Sequence, residues 1–470
     1  MTIVHRPSSL SSSASGEPLE PASSACRHGP ARQVRPWAGA PGTAGTVAVI
    51  GAGQTGLTLA AQYASHDWSV VVVDLQEPLV DAINAGDSHP GEEPGLAELI
   101  REAHTSGRLR ATTDASSVAA EVDVIVLAVP VALDDEEQPD YRHVDAAIAA
   151  IGPGVTAGST VIFETATPVG DTRGRFVPRL EAASGLRAET DLLVAFSPER
   201  LYSGAALQSL ATYPKLVGGI GPRSGERAAQ FYASVIDAEV VLMSSAEAAE
   251  LSKLADTTYR DVNIALANEF ARYADRIGLD VEEVIAAANS QPNSHIHQPG
   301  LGVGGRSIPV YPHFLLARAP EMELVEMSRR VNDGQVGLAI KAIQKALGGL
   351  EDVPVLVLGL TYREGVKELA YSRALPLIER LGFHGAQVAA YDPLLSAEEV
   401  VRCCATAYRW GDGGPFRAIV TQTADPTFRT LDFSAFPSLT VLYDGRNSLR
   451  DVPLPAGVTY RGVGIPSCAL

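Results

Sequence analysis

Cysteine is scarce in this chain of 470 residues: four occur, Cys26, Cys403, Cys404 and Cys468, and none stands in a Cys-x-x-Cys or Cys/His spacing. No structural metal is expected, and the adjacent Cys403 and Cys404 read as structural or incidental thiols on a surface segment. Long apolar runs are missing as well. None approaches the roughly twenty residues that span a bilayer. The N-terminus lacks the apolar stretch of a secretory signal, so no membrane contact is expected and the cytoplasm is the expected location. The third shortage is positive charge, with 37 Lys and Arg against 55 Asp and Glu and a net charge of −18. Such a surface repels nucleic acid and anionic lipid, so any bound phosphate has to be held by local groups.

What is present suits a globular protein: 46% of the residues are hydrophobic, and the length exceeds what one core serves, so two or three domains are expected. Residues 1–44, rich in Ser, Pro, Ala and Gly, show no periodicity and read as a disordered tail. Order begins at Thr46 with a short apolar strand, a glycine turn, a small-residue helix over residues 55–65 and a second strand over 69–73 ending at Asp74. Further apolar runs at 122–129, 160–163 and 192–196, separated by helical stretches, predict crossover units and a parallel sheet. The pattern turns helical from 246 to 289. A second nucleotide-fold-like unit opens at Val353, with later strands at 387–391, 419–421 and 440–443. The expected class is α/β, with two Rossmann-like domains joined by helices: 45–240, 241–350 and 351–470.

Gly51-Ala52-Gly53-Gln54-Thr55-Gly56 follows a strand and opens a helix, the context that a Gly-x-Gly-x-x-Gly turn requires. The glycines permit a tight turn and close backbone approach, so a pyrophosphate can rest on the helix N-terminus. Asp74, 18 residues beyond Gly56, stands where a carboxylate accepts both ribose hydroxyls and repels a 2′-phosphate. With no basic residue following it, the cofactor expected is NAD.

Several segments together resemble the UDP-glucose/GDP-mannose dehydrogenase family, above all its UDP-N-acetylmannosamine branch. They are Glu93-Pro94-Gly95-Leu96, Ser197-Pro198-Glu199-Arg200, Ala249-Glu250-Leu251-Ser252-Lys253-Leu254, Tyr259-Arg260-Asp261-Val262-Asn263-Ile264-Ala265, Gln298-Pro299-Gly300-Leu301-Gly302-Val303-Gly304-Gly305 and Leu358-Gly359-Leu360-Thr361-Tyr362-Arg363. The resemblance implies an NAD-binding domain, a helical dimerisation core and a second Rossmann-like domain for the substrate nucleotide, hence a homodimer acting on a nucleotide sugar or nucleoside. It implies catalytic roles for Lys253 and Glu199. Val129, Pro130 and Thr165 would lie along the cofactor, and Thr257, Asn263, Gly302, Gly304, Gly305, Arg306 and Arg363 would lie along the substrate.

The resemblance breaks at the nucleophile. The family oxidises a sugar C6 alcohol twice through a cysteine in Gly-Gly-His-Cys-Ile-Pro-Val-Asp-Pro, whereas this chain reads Gly304-Gly305-Arg306-Ser307-Ile308-Pro309-Val310-Tyr311-Pro312. A hydroxyl needs an adjacent base to become nucleophilic, where a thiol is already partly ionised near neutrality. The family's active-site asparagine is Thr257, its Ser-Thr pair is Thr165-Ala166, and its two substrate arginines are Asn293 and Ala370. Ser307, Tyr311 and Lys253 have the residue types of the Ser, Tyr and Lys of short-chain dehydrogenases, in which the lysine lowers the phenol pKa and the tyrosine removes the alcohol proton. That division of roles predicts one two-electron oxidation, or its reverse, in a specialised biosynthetic pathway. The competing expectations are full oxidation to a uronic acid and a catalytically silent nucleotide-binding homologue. His295 and His297 flank the glycine loop as loop histidines; a part in activating Ser307 stays open from sequence.

Overall fold

The computed structural model describes residues 44–87 and 93–466. The expected tail, apart from Ala44, and Cys26 and Cys468 lie outside them. Ten strands come from the first half: β1 (Thr46–Ile50), β2 (Ser69–Val73), β3 (Leu109–Thr112), β4 (Val124–Leu127), β5 (Ala132–Leu133), β6 (Pro139–Asp140), β7 (Thr160–Phe163), β8 (Leu193–Phe196), β9 (Lys215–Gly219) and β10 (Val240–Leu242). β5 and β6 form a separate antiparallel hairpin. The other eight form one sheet in the order β10-β9-β8-β7-β4-β1-β2-β3, parallel except where β8 meets β9.

The second sheet contains β11 (Pro354–Leu358), β12 (Gln387–Tyr391), β13 (Thr406–Ala407), β14 (Ala418–Thr421), β15 (Val441–Asp444) and β16 (Thr459–Gly462), all parallel, in the order β13-β12-β11-β14-β15-β16. Renumbered within the unit this is 3-2-1-4-5-6, the doubly wound order. The first six strands of the first sheet repeat it. Runs such as Ser-Val-Val-Val-Val and Pro-Val-Leu-Val-Leu are buried almost throughout, as expected of strands covered on both faces.

The helical stretch expected from residue 246 is longer than its sequence pieces suggest: Ala246–Ile277 is one helix of 32 residues, capped by the Ser245 side chain on the Ala248 N–H and ended by left-handed Gly278. At 1.5 Å per residue it is ~48 Å long. Its first turns contribute Ala246, Ala249 and Leu254 to the core around Phe163 and Phe176, and its last turns contribute Ala267, Ala271 and Ala274 to the core of the second sheet. Alanines at both ends permit close packing of the helix on its neighbours.

Between those ends the helix is held by charge. Asp261 is fully buried and accepts from Arg329 Nη1 (2.6 Å) and Asn332 Nδ2 (2.8 Å), both on the helix Glu323–Asp333. Arg329 also reaches Asp333 (2.7 Å), which binds Arg373 (3.1 Å) at the entry to the second sheet's first helix. Removing one partner of a buried pair leaves the other charge uncompensated, typically at ~3–5 kcal/mol. Because Asp333 keeps one arm of Arg329, Asp261→Ala is expected to cost about 3 kcal/mol, the low end of that range. Urea denaturation of the two proteins measures it, and a loss within experimental error would show that the network does not hold the helix.

Candidate active site

The two doubly wound units each bring a glycine turn and a second-strand acid to their topological switch point, where such sheets bind ligands. In the first, Gly51 has φ +99°, and a Cβ there would meet Val129 Cγ1 at 3.1 Å; a Cβ on Gly56 would fall 1.9 Å from Gly51 O, whereas one on Gly53 would meet nothing within 4 Å. The first and third glycines are therefore fixed by protein packing, and the second leaves bare backbone at the surface. The helix Gln54–Ser65 starts there with neither a side-chain cap nor an acid in its first turn, which suits a pyrophosphate. Asp74, half-buried after β2, is oriented by the Ala52 N–H (2.8 Å) and the Gln76 N–H (3.0 Å). A carboxylate has about four acceptor positions, so capacity remains for ribose hydroxyls. Thr55 is half-buried in the first turn, Val129 half-buried, Pro130 exposed and Thr165 buried behind β7. The residues fit NAD.

Gln54 takes a different role from the cofactor contact expected of it. Its amide donates to Glu93 (2.7 Å), a buried carboxylate that also accepts from the Gly204 N–H (2.6 Å) and the Ala206 N–H (2.9 Å). Glu93 thus ties the glycine turn to the loop that carries Glu199. In the second unit, the corresponding acid is saturated: buried Asp392 accepts from Leu360 N (2.7 Å), Thr361 N (3.0 Å), Thr361 Oγ1 (3.0 Å) and Leu394 N (2.9 Å). Three of these bonds converge on Oδ2, so the buried carboxylate locks its own turn.

Lys253, one turn along the long helix from Glu250, is buried and pairs with Glu199 Oε1 at 3.3 Å. Burial pushes the Glu199 carboxyl up, but Lys253 and the Leu201 N–H (2.8 Å) outweigh it and hold the group below the usual carboxylate range. A second buried pair lies beside the first. Lys215 pairs with Glu164 and reaches Pro198 O (3.3 Å), while Tyr232 and Tyr63 hydroxyls donate to Glu164 at 2.6 and 3.3 Å. Burial pushes Lys215 down, against the pull of Glu164. Neither Lys215 nor Glu164 was singled out from the sequence; the available signal was a charge at the end of an apolar strand.

Ser307 and Lys253 each lie near Tyr311. Tyr311 is buried, stacked on Phe314 with ring centroids 5.6 Å apart, and Lys253 Nζ lies 5.7 Å from its ring centroid. The electrostatics, however, oppose the expected lysine-activated phenol. Burial and then the Glu199 charge raise the Tyr311 pKa well above that of an ordinary tyrosine, with Ser307 as a hydrogen-bond partner recovering only part. Lys253 is committed to the carboxylate. His295 and His297 are held elsewhere: Asn263 accepts from the His297 N–H (2.8 Å) and donates to His295 O (2.8 Å), and His297 meets Tyr259 edge-on. Asn263, expected on the substrate, is therefore a loop anchor. Thr257 is fully buried, with its hydroxyl unpartnered among the described residues.

The glycine loop is also used differently from expectation. A Cβ on Gly302 would fall 2.6 Å from Asn332 O, and Cβ atoms on Gly304 and Gly305 would each fall 2.9 Å from Tyr362. These glycines accommodate protein neighbours. Arg306 is exposed and bound to Glu368 (2.6 Å), not left free for an anion. Arg363 bridges to the Glu199 loop, donating to Tyr202 Oη (2.9 Å) and to Ser203 O, with its guanidinium 4.3 Å from the Tyr202 ring centroid. Among the described residues no cluster of three or more His, Cys, Asp or Glu side chains converges as metal ligands. A hydrogen bond to a charged group contributes ~1.5–3 kcal/mol. Asp74→Ala is accordingly expected to weaken NAD binding by about ten- to a hundredfold in titration calorimetry, and an unchanged Kd removes Asp74 from the cofactor site.

Comparison with known proteins agrees with this layout. Models of the UDP-glucose/GDP-mannose dehydrogenase family match the chain in three consecutive parts: the NAD binding domain over residues 45–236, the central domain over 247–334 and the UDP binding domain over 356–451. A UDP-N-acetyl-D-mannosamine dehydrogenase of Pyrococcus horikoshii is 32% identical over 432 residues, 89% of this chain and 99% of the relative. An NDP-N-acetyl-D-galactosaminuronic acid dehydrogenase of Ralstonia nicotianae is 34% identical over 343 residues, 72% of this chain and 80% of the relative. The solved structure of a UDP-glucose dehydrogenase from Pyrobaculum islandicum superposes with a TM-score of 0.81 at 27% identity, covering 90% of this chain and 99% of that one. With its glycine turn, its Lys253–Glu199 pair and all three domains in order, the chain belongs to the UDP-glucose/GDP-mannose dehydrogenase family and is an NAD-dependent dehydrogenase.

Proposed function

We propose that this enzyme removes a single hydride from the alcohol of a nucleotide-linked sugar or nucleoside, or returns one, and stops at the ketone or aldehyde. The observation that carries the reading is the environment of Ser307. Its side chain meets the Tyr311 phenol, which burial and Glu199 hold protonated. A hydroxyl without a base is a poor nucleophile. No covalent aldehyde adduct forms, and the step that would lead to an acid lacks its carrier.

Bound NAD supplies the hydride acceptor. The chain's own part is proton handling and orientation. The Glu199 carboxylate, kept ionised, takes the alcohol proton while the C–H bond yields its electron pair, and the buried Lys253 ammonium faces the oxygen on which negative charge develops. Tyr311 and Ser307 hold that oxygen by hydrogen bonds. This assignment replaces tyrosine with glutamate as the proton acceptor. The second Rossmann-like domain holds the nucleotide of the substrate, and Arg363, already at the Glu199 loop, lies between that domain and the reacting end.

The reading includes a homodimer. Tyr259, Leu266, Phe270, Tyr273 and Ile277 recur on one face of the long helix and stand 38–55% exposed, a stripe of the kind that a second copy covers. Phe270→Glu with Tyr273→Glu is expected to halve the mass seen by light scattering.

General-base removal costs about 10²–10⁴ in rate. Glu199→Gln is expected to lose that much kcat, whereas Tyr311→Phe loses no more than about tenfold, since it gives up one neutral hydrogen bond. The acid limb of kcat lies below the ordinary carboxylate range, because activity is lost only as pH falls through the depressed Glu199 pKa. Counting NADH on a panel of UDP-N-acetylhexosamines and nucleosides decides the reaction. One equivalent per substrate is expected; two mean acid formation, and none across the panel means a silent protein.

A further inference from the structure

A cavity of about 440 Å³ opens on the far side of the loop that follows β7, lined by Val169, Gly170, Gly174, Arg175, Arg179 and Arg318. It shares no residue with the dinucleotide turn or with the Ser307 loop. In a chain of net charge −18, three guanidinium groups around one cavity are a marked local reversal of sign.

Their pairing leaves the reversal in place. Asp145 binds Arg175 (2.6 Å) and Arg179 (3.1 Å), and fully buried Asp171 binds Arg318 while also accepting from Tyr141 Oη (2.7 Å) and Thr167 Oγ1 (2.8 Å). Three cations meet two anions. Each guanidinium has five N–H donors, more than these contacts use, and Arg175 Nε is buried with no hydrogen-bond partner among the described residues. Arg175 is also fixed in plane by the Tyr141 ring, whose centroid lies 3.8 Å from its Cζ. Between the arginines the wall is bare backbone: Gly170, at φ +91°, and Gly174 have nothing within 4 Å of a would-be Cβ.

We propose that this cavity is a second anion site, built for a small phosphorylated metabolite. Planar, pre-oriented guanidinium groups match phosphate oxygens two at a time. The volume falls at the lower end of ordinary ligand pockets, ~300–1,000 Å³, and exceeds what a lone phosphate fills. The wall is wired to the catalytic helix: the Gly170 N–H (2.6 Å) and the Thr172 N–H (3.0 Å) both donate to buried Glu250, one turn before Lys253. An occupant that shifts the loop therefore acts on the helix that carries Lys253. This inference stands apart from the number of hydrides transferred, because its readout is binding.

The test is titration calorimetry of the full-length protein with inorganic pyrophosphate, in the presence of saturating NAD and UDP. One further equivalent is expected to bind. Arg179→Gln and Arg318→Gln should each weaken it by about tenfold or more, since each removes a charge-assisted fork. Arg318→Lys, which keeps a cation beside buried Asp171, should weaken it less than Arg318→Gln while guarding against misfolding. An NAD Kd within about twofold of the parent value reports an intact fold in each variant. No binding at millimolar pyrophosphate, or binding equal in the parent protein and both glutamine variants, overturns the proposal.

Discussion

The molecule depends on one polar stripe along the helix Ala246–Ile277. Glu250, Lys253, Thr257, Asp261 and Asn268 follow one another at helical spacing and are all buried. Four of them take hold of a different part of the chain. Glu250 receives the loop after β7, Lys253 pairs with the loop after β8, Asp261 holds the helix Glu323–Asp333, and Asn268 accepts from the Gly300 N–H at 2.9 Å. Burying so many polar groups on one face is costly unless each is matched. The matching is what sets the register between the catalytic loops, since a rotation of the helix would break all four contacts together.

The same stripe explains why tyrosine does not serve as the base. A lysine can lower a neighbouring phenol only if its charge is not already neutralised. Here the Glu199 carboxylate lies 3.3 Å from Lys253, while the Tyr311 ring centroid is 5.7 Å away. The carboxylate both takes the lysine's field and adds its own negative charge to the phenol's surroundings. Residue types alone suggested a Ser-Tyr-Lys trio; the fourth member, Glu199, inverts the sign of its effect.

Much of the fold was legible because its signals are local. The β-branched strands, the turn over Gly51–Gly56 and the position of Asp74 after β2 follow from spacing and composition, and each depends on neighbours within a short stretch of chain. The strand β3 escaped because Leu109–Thr112 alternates exposure and lacks the continuous apolar run of a buried strand. Of the catalytic candidates, Lys253 and Glu199 are brought together as a buried pair. The site was not legible where long-range packing decides the role. Asn263 was placed on the substrate, but its amide is used up by the His295–His297 backbone. Gly304 and Gly305 were expected along the substrate, and Tyr362 packs against both on the side a Cβ would take. Arg306 was expected along the substrate, and it pairs with Glu368, 62 residues on.

The two Rossmann-like units show why one cofactor site, not two, results from a repeated topology. Both place a glycine turn and an aspartate at the switch point, and the difference lies in hydrogen-bond saturation. Asp74 accepts from two backbone N–H groups and retains acceptor capacity, whereas Asp392 accepts four bonds, including both backbone and side chain of Thr361. Three of those four converge on Oδ2, and Asp392 is buried where Asp74 is only half-buried. Thr361 stands in the second unit where Gly53 stands in the first turn, and its backbone N–H and hydroxyl both bind the acid. The first glycine of each turn is closed off alike, Gly51 by Val129 and Gly359 by Thr423, but the first turn leaves Gly53 bare where the second carries Thr361. Fold alone thus does not distribute function between the halves. Thr361 in place of a bare glycine, together with burial of the acid it binds, makes the second turn a structural one, leaving the second domain to hold its nucleotide by other groups.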